Sequence, residues 1–126
     1  MYLREYELVY IAKPELDDDT YHQVGDRLAE VVEEAGGFKL HLDLWGKKRL
    51  AYEIDDFSKG MYFILDFLGE PAVVTEAERF LRFNDHVLRY MTVKVHDRVD
   101  VDERRAEAER DEAEREAKRA AEEEAA

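Results

Sequence analysis

The order of strand-like and helix-like segments predicts an α+β fold. A βαββαβ chain would form a four-stranded antiparallel sheet with two helices on one face, followed by a charged C-terminal tail. Three observations lead there. Four segments alternate apolar and polar residues or are apolar throughout, at strand length. Two others repeat apolar residues every three or four positions. After Val101 the only apolar residues are alanines. Right-handed crossovers would place the first and third strands centrally and the second and fourth at the edges, a ferredoxin-like architecture.

Residues 5–12 open the pattern. Tyr6, Leu8 and Tyr10 share one face; Glu7, Val9 and Ile11 share the other. Pro14 ends the strand because it has no amide to donate. Asp17 to Asp19 supply an N-cap and a negative first turn. Tyr21, Val24, Leu28, Val31, Val32 and Ala35 then form a helical stripe, which Gly36-Gly37 terminates. Phe38, Leu40, Leu42 and Leu44 alternate with Lys39, His41 and Asp43, and Leu50, Tyr52 and Ile54 resume the alternation. Gly46 between them predicts a bulge or bend in one long strand. Asp55 to Gly60 reads as a polar turn. Met61 to Leu68 is apolar on both faces except at Asp66, as a central strand would be. Pro71 suits a helical first turn, and Val73, Val74, Ala77, Phe80, Leu81 and Asn84 follow at helical spacing. Asn84-Asp85 reads as a turn, and the alternating residues 87–95 as the fourth strand.

The organisation expected is one domain over residues 1–96 and a Glu/Ala/Arg-rich acidic tail over 97–126, helical or disordered. With no apolar stripe, the tail offers nothing to pack a core. Its i,i+3 and i,i+4 ion pairs add only a few tenths of a kcal/mol each.

Of the 126 residues, 45% are hydrophobic, enough for one core. There is no cysteine, hence neither a disulfide framework nor a thiolate metal site, which suits a reducing cytoplasm. No apolar run reaches the roughly 20 residues a membrane helix needs, and Met1-Tyr2-Leu3-Arg4-Glu5 lacks a secretory pattern. His22, His41, His86 and His96 lie in separate segments without metal-ligand spacing. No phosphate loop, dinucleotide fingerprint or nucleophile elbow is present, so neither enzyme, cofactor, metal nor small-molecule substrate is expected. Asp66 is the exception worth weighing: burial would raise its pKa, and an acid on the open sheet face is the simpler reading than a catalytic one.

The net charge of −13 argues against a nucleic-acid binder until its placement is considered. Residues 97–126 carry −6 and residues 1–96 carry −7, with the acids of the latter concentrated at Asp17 to Asp19, Glu30 to Glu34 and Glu76 to Glu78. The run Trp45-Gly46-Lys47-Lys48-Arg49-Leu50-Ala51-Tyr52-Glu53-Ile54 sets three consecutive cations inside a strand-like segment. Like charges so close repel one another, and a polyanion such as RNA relieves the repulsion. The plainer reading is a solvated edge that discourages sheet-to-sheet aggregation.

That run resembles the signature segment of the bacterial small-subunit ribosomal protein six family. So do Arg4-Glu5-Tyr6-Glu7-Leu8-Val9-Tyr10-Ile11 with Pro14, then Gly60-Met61-Tyr62-Phe63, then Leu81-Arg82-Phe83-Asn84-Asp85-His86-Val87-Leu88-Arg89-Tyr90-Met91-Thr92-Val93-Lys94. The four blocks stand in family order over residues 2 to 96. The resemblance implies the same fold and a structural, ribosome-bound role in the cytoplasm. Its implied partners are the central domain of small-subunit rRNA and small-subunit ribosomal protein eighteen. On this reading Arg4, Lys47, Lys48, Arg49, Arg82, Arg89 and Lys94 contact RNA, positioning the protein through phosphate and sugar. Val9, Ile11, Trp45 and Tyr62 face the partner protein, because an apolar sheet face without a stacking octamer more often receives a protein. Trp45 has two readings, core filler beside Leu44 and Leu50 or interface residue. The competing function is a stand-alone ferredoxin-like interaction or ligand-binding module.

Overall fold

A computed structural model describes residues 1–125; Ala126, the last residue of the expected tail, lies outside them. The order is β1 (Tyr2–Ala12), α1 (Asp18–Glu34), β2 (Phe38–Ile54), β3 (Phe57–Gly69), α2 (Pro71–Arg82), β4 (Val87–Asp100) and α3 (Val101–Ala125). All strand pairs are antiparallel in the order β2-β3-β1-β4, so the first and third strands are central, as the crossover rule requires.

The helix-side face of the sheet carries the main core. Tyr6, Leu8 and Tyr10 of β1 and Phe63, Leu65 and Phe67 of β3 meet Val24, Leu28 and Val32 of α1 and Val73, Ala77 and Leu81 of α2. Tyr6 stacks on Phe67 and Tyr10 on Phe63, with ring centroids 5.5 and 5.1 Å apart. Local signals act where the sequence puts them. Asp17 caps α1 by accepting from the Thr20 amide at 2.7 Å. Gly36 takes φ +95° just past that helix, and Pro71 opens α2.

Two boundaries differ from the sequence pattern. β1 begins at Tyr2 instead of residue 5, because β3 and β4 extend far enough to pair with its first residues. The β2–β3 turn is only Asp55-Asp56, both at positive φ, and β3 starts at Phe57, so the hairpin projects well beyond β1. Within β2, one long strand as expected, the register slips between Leu44 and Gly46, where Gly46 adopts φ +116° and forms the bulge its position predicts.

The C-terminal segment is helical, one of its two expected states, but it docks where the pattern predicts a solvated tail. β4 runs to Asp100, and α3 then folds back as a 25-residue helix against the sheet face that α1 and α2 leave open. Val101 and Ala108 are buried with Leu3, Leu40 and Leu68. Arg104 Nε donates to the carboxylate of buried Glu5 at 2.8 Å, and Arg115 reaches Asp43 at 2.9 Å. Arg105 lies over the Phe38 ring. Alanine makes no stripe in a sequence pattern, but it lets a helix approach a sheet closely while flanking arginines find acids there.

Candidate nucleic-acid and protein interface

Strand pairing assigns each candidate residue to a face, since directly opposed residues point the same way. On the open face, β1 contributes Glu5, Glu7, Val9 and Ile11; β3 contributes Asp66, Ile64 and Tyr62; β4 contributes Met91 and Arg89; and β2 contributes His41, Asp43 and Lys48. Two covers lie over this face. At one end sits α3. At the other, the long β2–β3 hairpin leans across it: Tyr52 near the tip receives a hydrogen bond from Arg89 on the opposite edge strand, and Ile11 and Leu50 both crowd the α-carbon of Gly60. Ile11 is therefore buried and offers a partner little area. Between the covers runs an apolar strip of Val9, Met91 and Val93, floored by buried Ile64, with Met91 62% exposed.

The hairpin holds the densest group of cations and aromatics. Lys48 Nζ stands 4.2 Å from the centre of the Trp45 ring and 5.9 Å from that of Tyr62. Trp45 itself is 55% exposed, so it does not fill the core beside Leu44 and Leu50. Alternation puts Lys47 and Arg49 on the other face from Lys48. Lys47 pairs with Glu15, whose carboxyl is held below the ordinary carboxylate range by that hydrogen bond and charge, with Lys59 adding to it. Arg49 lies directly opposite Lys59. Like charges facing each other across strands destabilise a hairpin, and among the described residues no carboxylate lies within 4.0 Å of Lys48, Arg49 or Lys59.

The other candidate cations are dispersed. Arg4 pairs with Glu70 at 2.8 Å at the far end of the sheet. Lys94, opposite Tyr6 and so on the helix side, pairs with Asp97. Arg82, in the last turn of α2, donates to the Tyr90 hydroxyl at 3.4 Å and lies near Phe83, itself largely exposed. The structure thus brings together Trp45, Lys48, Arg49, Tyr62 and Arg89 around one projecting hairpin, adds Tyr52 and Lys59, and leaves Arg4 and Lys94 apart with carboxylates. Tyr52 escapes sequence reading because the register between Arg49 and Ile54 is irregular, and Lys59 because the polar run from Asp55 to Gly60 reads as a turn although β3 already begins at Phe57.

Asp66 sits on the open face opposite Glu7 and His41. Desolvation first, then the charges of Glu7 and Glu5, push its pKa up from 3.8 to about 6. His41 is 4% exposed, with its Nδ1 3.1 Å from Glu112 and its Nε2 3.8 Å from Asp111 of α3. No group of three or more His, Cys, Asp or Glu suited to a metal occurs among the described residues.

The family described as Ribosomal protein S6 matches residues 5–94. The chain belongs to the ribosomal protein S6 family. It is 40% identical over 95 residues to the small ribosomal subunit protein bS6 of Desulfitobacterium hafniense, covering 75% of this chain and all of that one. It is also 40% identical over 95 residues to the bS6 protein of Natranaerobius thermophilus, covering 75% and 99%. Its fold is similar to the crystal structure of 30S ribosomal protein S6 from Thermotoga maritima, with TM-score 0.68 and 26% identity over 73% of this chain and 87% of that one. The ribosomal protein S6 family is a structural, non-enzymatic constituent of the small ribosomal subunit, and the chain is accordingly a ribosomal protein and no enzyme. The family match ends at residue 94, short of the end of β4, so α3 lies outside it.

Proposed function

We propose that this S6-family chain binds the central domain of small-subunit rRNA together with small-subunit ribosomal protein eighteen, in the cytoplasm. The observation that carries the RNA part is the hairpin: Arg49 faces Lys59, Lys48 lies over Trp45, and among the described residues no carboxylate within 4.0 Å answers any of these cations. Such a grouping is unfavourable in isolation and favourable against phosphate. Arg89, held by Tyr52, extends it, and Arg82 beside exposed Phe83 offers a separate contact. Lys47, Arg4 and Lys94, each engaged by a carboxylate, would contribute less. The strip of Val9, Met91 and Val93, continued by Tyr62, would receive the partner protein, whose apolar surface would cover it, while Trp45 stands apart beside Lys48 on the hairpin.

The test is a titration of central-domain rRNA in the presence of the partner protein at several salt concentrations. Replacing Lys48 and Arg49 with alanine should weaken binding and flatten the plot of log K against log salt by about two, one ion-pair equivalent per phosphate lost. Lys47→Ala should do less. An unchanged slope would remove the hairpin from the interface.

A further inference from the structure

α3 is acidic in sum, but its cations are not evenly placed. Arg115, Lys118 and Arg119 are spaced three and four residues apart and so share one helix face. That face turns toward β2. Arg115 is anchored there by Asp43 at 2.9 and 3.1 Å, which also neutralises the one acid β2 presents at this point. Between helix and strand lies an open groove of about 490 Å³, walled by Leu44 and Trp45 on one side and by Arg115, Lys118 and Arg119 on the other, with Glu122 at its end. Among the described residues neither Lys118 nor Arg119 has a carboxylate within 4.0 Å. Trp45 thus meets the hairpin cation Lys48 and also lines the groove that holds the cations of α3.

We infer that this groove is a single-stranded RNA subsite, in which one unpaired base stacks on Trp45 while its flanking phosphates meet Lys118 and Arg119. An indole exposed beside cations matches how sequence-tolerant single-strand sites work, by stacking and charge together. The subsite continues the hairpin surface onto an element the family match does not reach, and it rests on the rRNA reading above.

Trp45 is the only tryptophan of the chain, so its emission reports this groove. The full-length protein would be titrated with an oligouridylate of roughly eight nucleotides, within the site sizes single strands occupy. Stacking predicts quenching. The double variant Lys118→Ala, Arg119→Ala, both solvent-exposed positions, should weaken binding several-fold and flatten the salt dependence by about 1.4, or 0.7 per phosphate on a single strand. Unchanged affinity and slope would overturn the subsite. If the variant of Lys48 and Arg49 still weakened central-domain rRNA binding, the rRNA reading would stand without it; if neither variant weakened any RNA, that reading would fall too. Quenching by small-subunit ribosomal protein eighteen but not by the oligonucleotide would assign the groove to a protein and overturn the proposal.

Discussion

Two polar groups of the sheet, one half-buried and one buried, illustrate how single residues set its stability. Asp66 holds its proton more tightly in the folded protein than in the unfolded chain, since burial and the carboxylates of Glu7 and Glu5 lift its pKa from 3.8 to about 6. Its contribution is therefore most favourable below about pH 4 and is lost as the pH rises through about 6. At pH 7.5 Asp66→Asn should stabilise the protein by about 1 to 2 kcal/mol, allowing for partial solvent screening of a half-buried group. At pH 4 the gain should shrink. Urea unfolding at both values checks this, and an equal gain at each would place the cause elsewhere. Tyr10 is the second case: its hydroxyl is buried without a hydrogen-bond partner, and burial together with Asp26 raises its pKa. Tyr10→Phe should leave stability unchanged or raise it by up to about 1 kcal/mol in the same assay. The sequence marks Asp66 as the lone acid of an apolar strand and assigns Tyr10 to the core-facing side of β1. It does not show that Glu7 and His41 stand opposite Asp66, because register is a tertiary property.

At the level of elements, periodicity recovers β1 to β4 and both core helices, and the caps at Asp17, Gly36 and Pro71 act as their chemistry predicts. The hairpin and α3 are where pattern reading stops. The hairpin's reach depends on a two-residue Asp55-Asp56 turn and an irregular register that no alternation encodes. α3 docks by two small apolar contacts and by arginines whose acids lie some hundred residues or seventy residues away in sequence, at Glu5 and Asp43. A scan for apolar stripes passes over such a helix. Its energetics hang on Arg104, which neutralises a buried carboxylate. Arg104→Ala should cost about 2 to 4 kcal/mol, because it leaves Glu5 desolvated and unpaired. Pairing Glu5→Gln with Arg104→Met should bring the loss back to within about 1 kcal/mol, since neither group then carries a buried charge. A double-mutant cycle by urea unfolding measures the difference, and an Arg104→Ala protein as stable as the parent would show that α3 does not hold Glu5.

On the scale of the whole molecule, charge and apolar surface are divided by position, which a net value of −13 conceals. Two covers, the hairpin and α3, take the ends of the open sheet face and leave Val9, Met91 and Val93 between them. A strip this narrow, bounded by cations at one side and by Glu7 and Asp66 at another, suits a partner that inserts a few apolar side chains more than one that lays down a broad sheet. Met91 is the point at which to probe it, being 62% exposed and opposite Val9 at the centre of the strip. Met91→Glu removes no core contact, so the melting temperature should change by no more than a degree or two. On the proposed pairing with small-subunit ribosomal protein eighteen, a carboxylate in the middle of the apolar contact should nevertheless weaken association by at least tenfold, since burying it unpaired costs well over 1.4 kcal/mol. Isothermal titration with the partner alone separates this effect from RNA binding, which the hairpin variant of Lys48 and Arg49 should impair while leaving protein association nearly intact. Met91→Glu binding the partner with parental affinity would move the protein interface off this strip and onto the sheet edge or the helices.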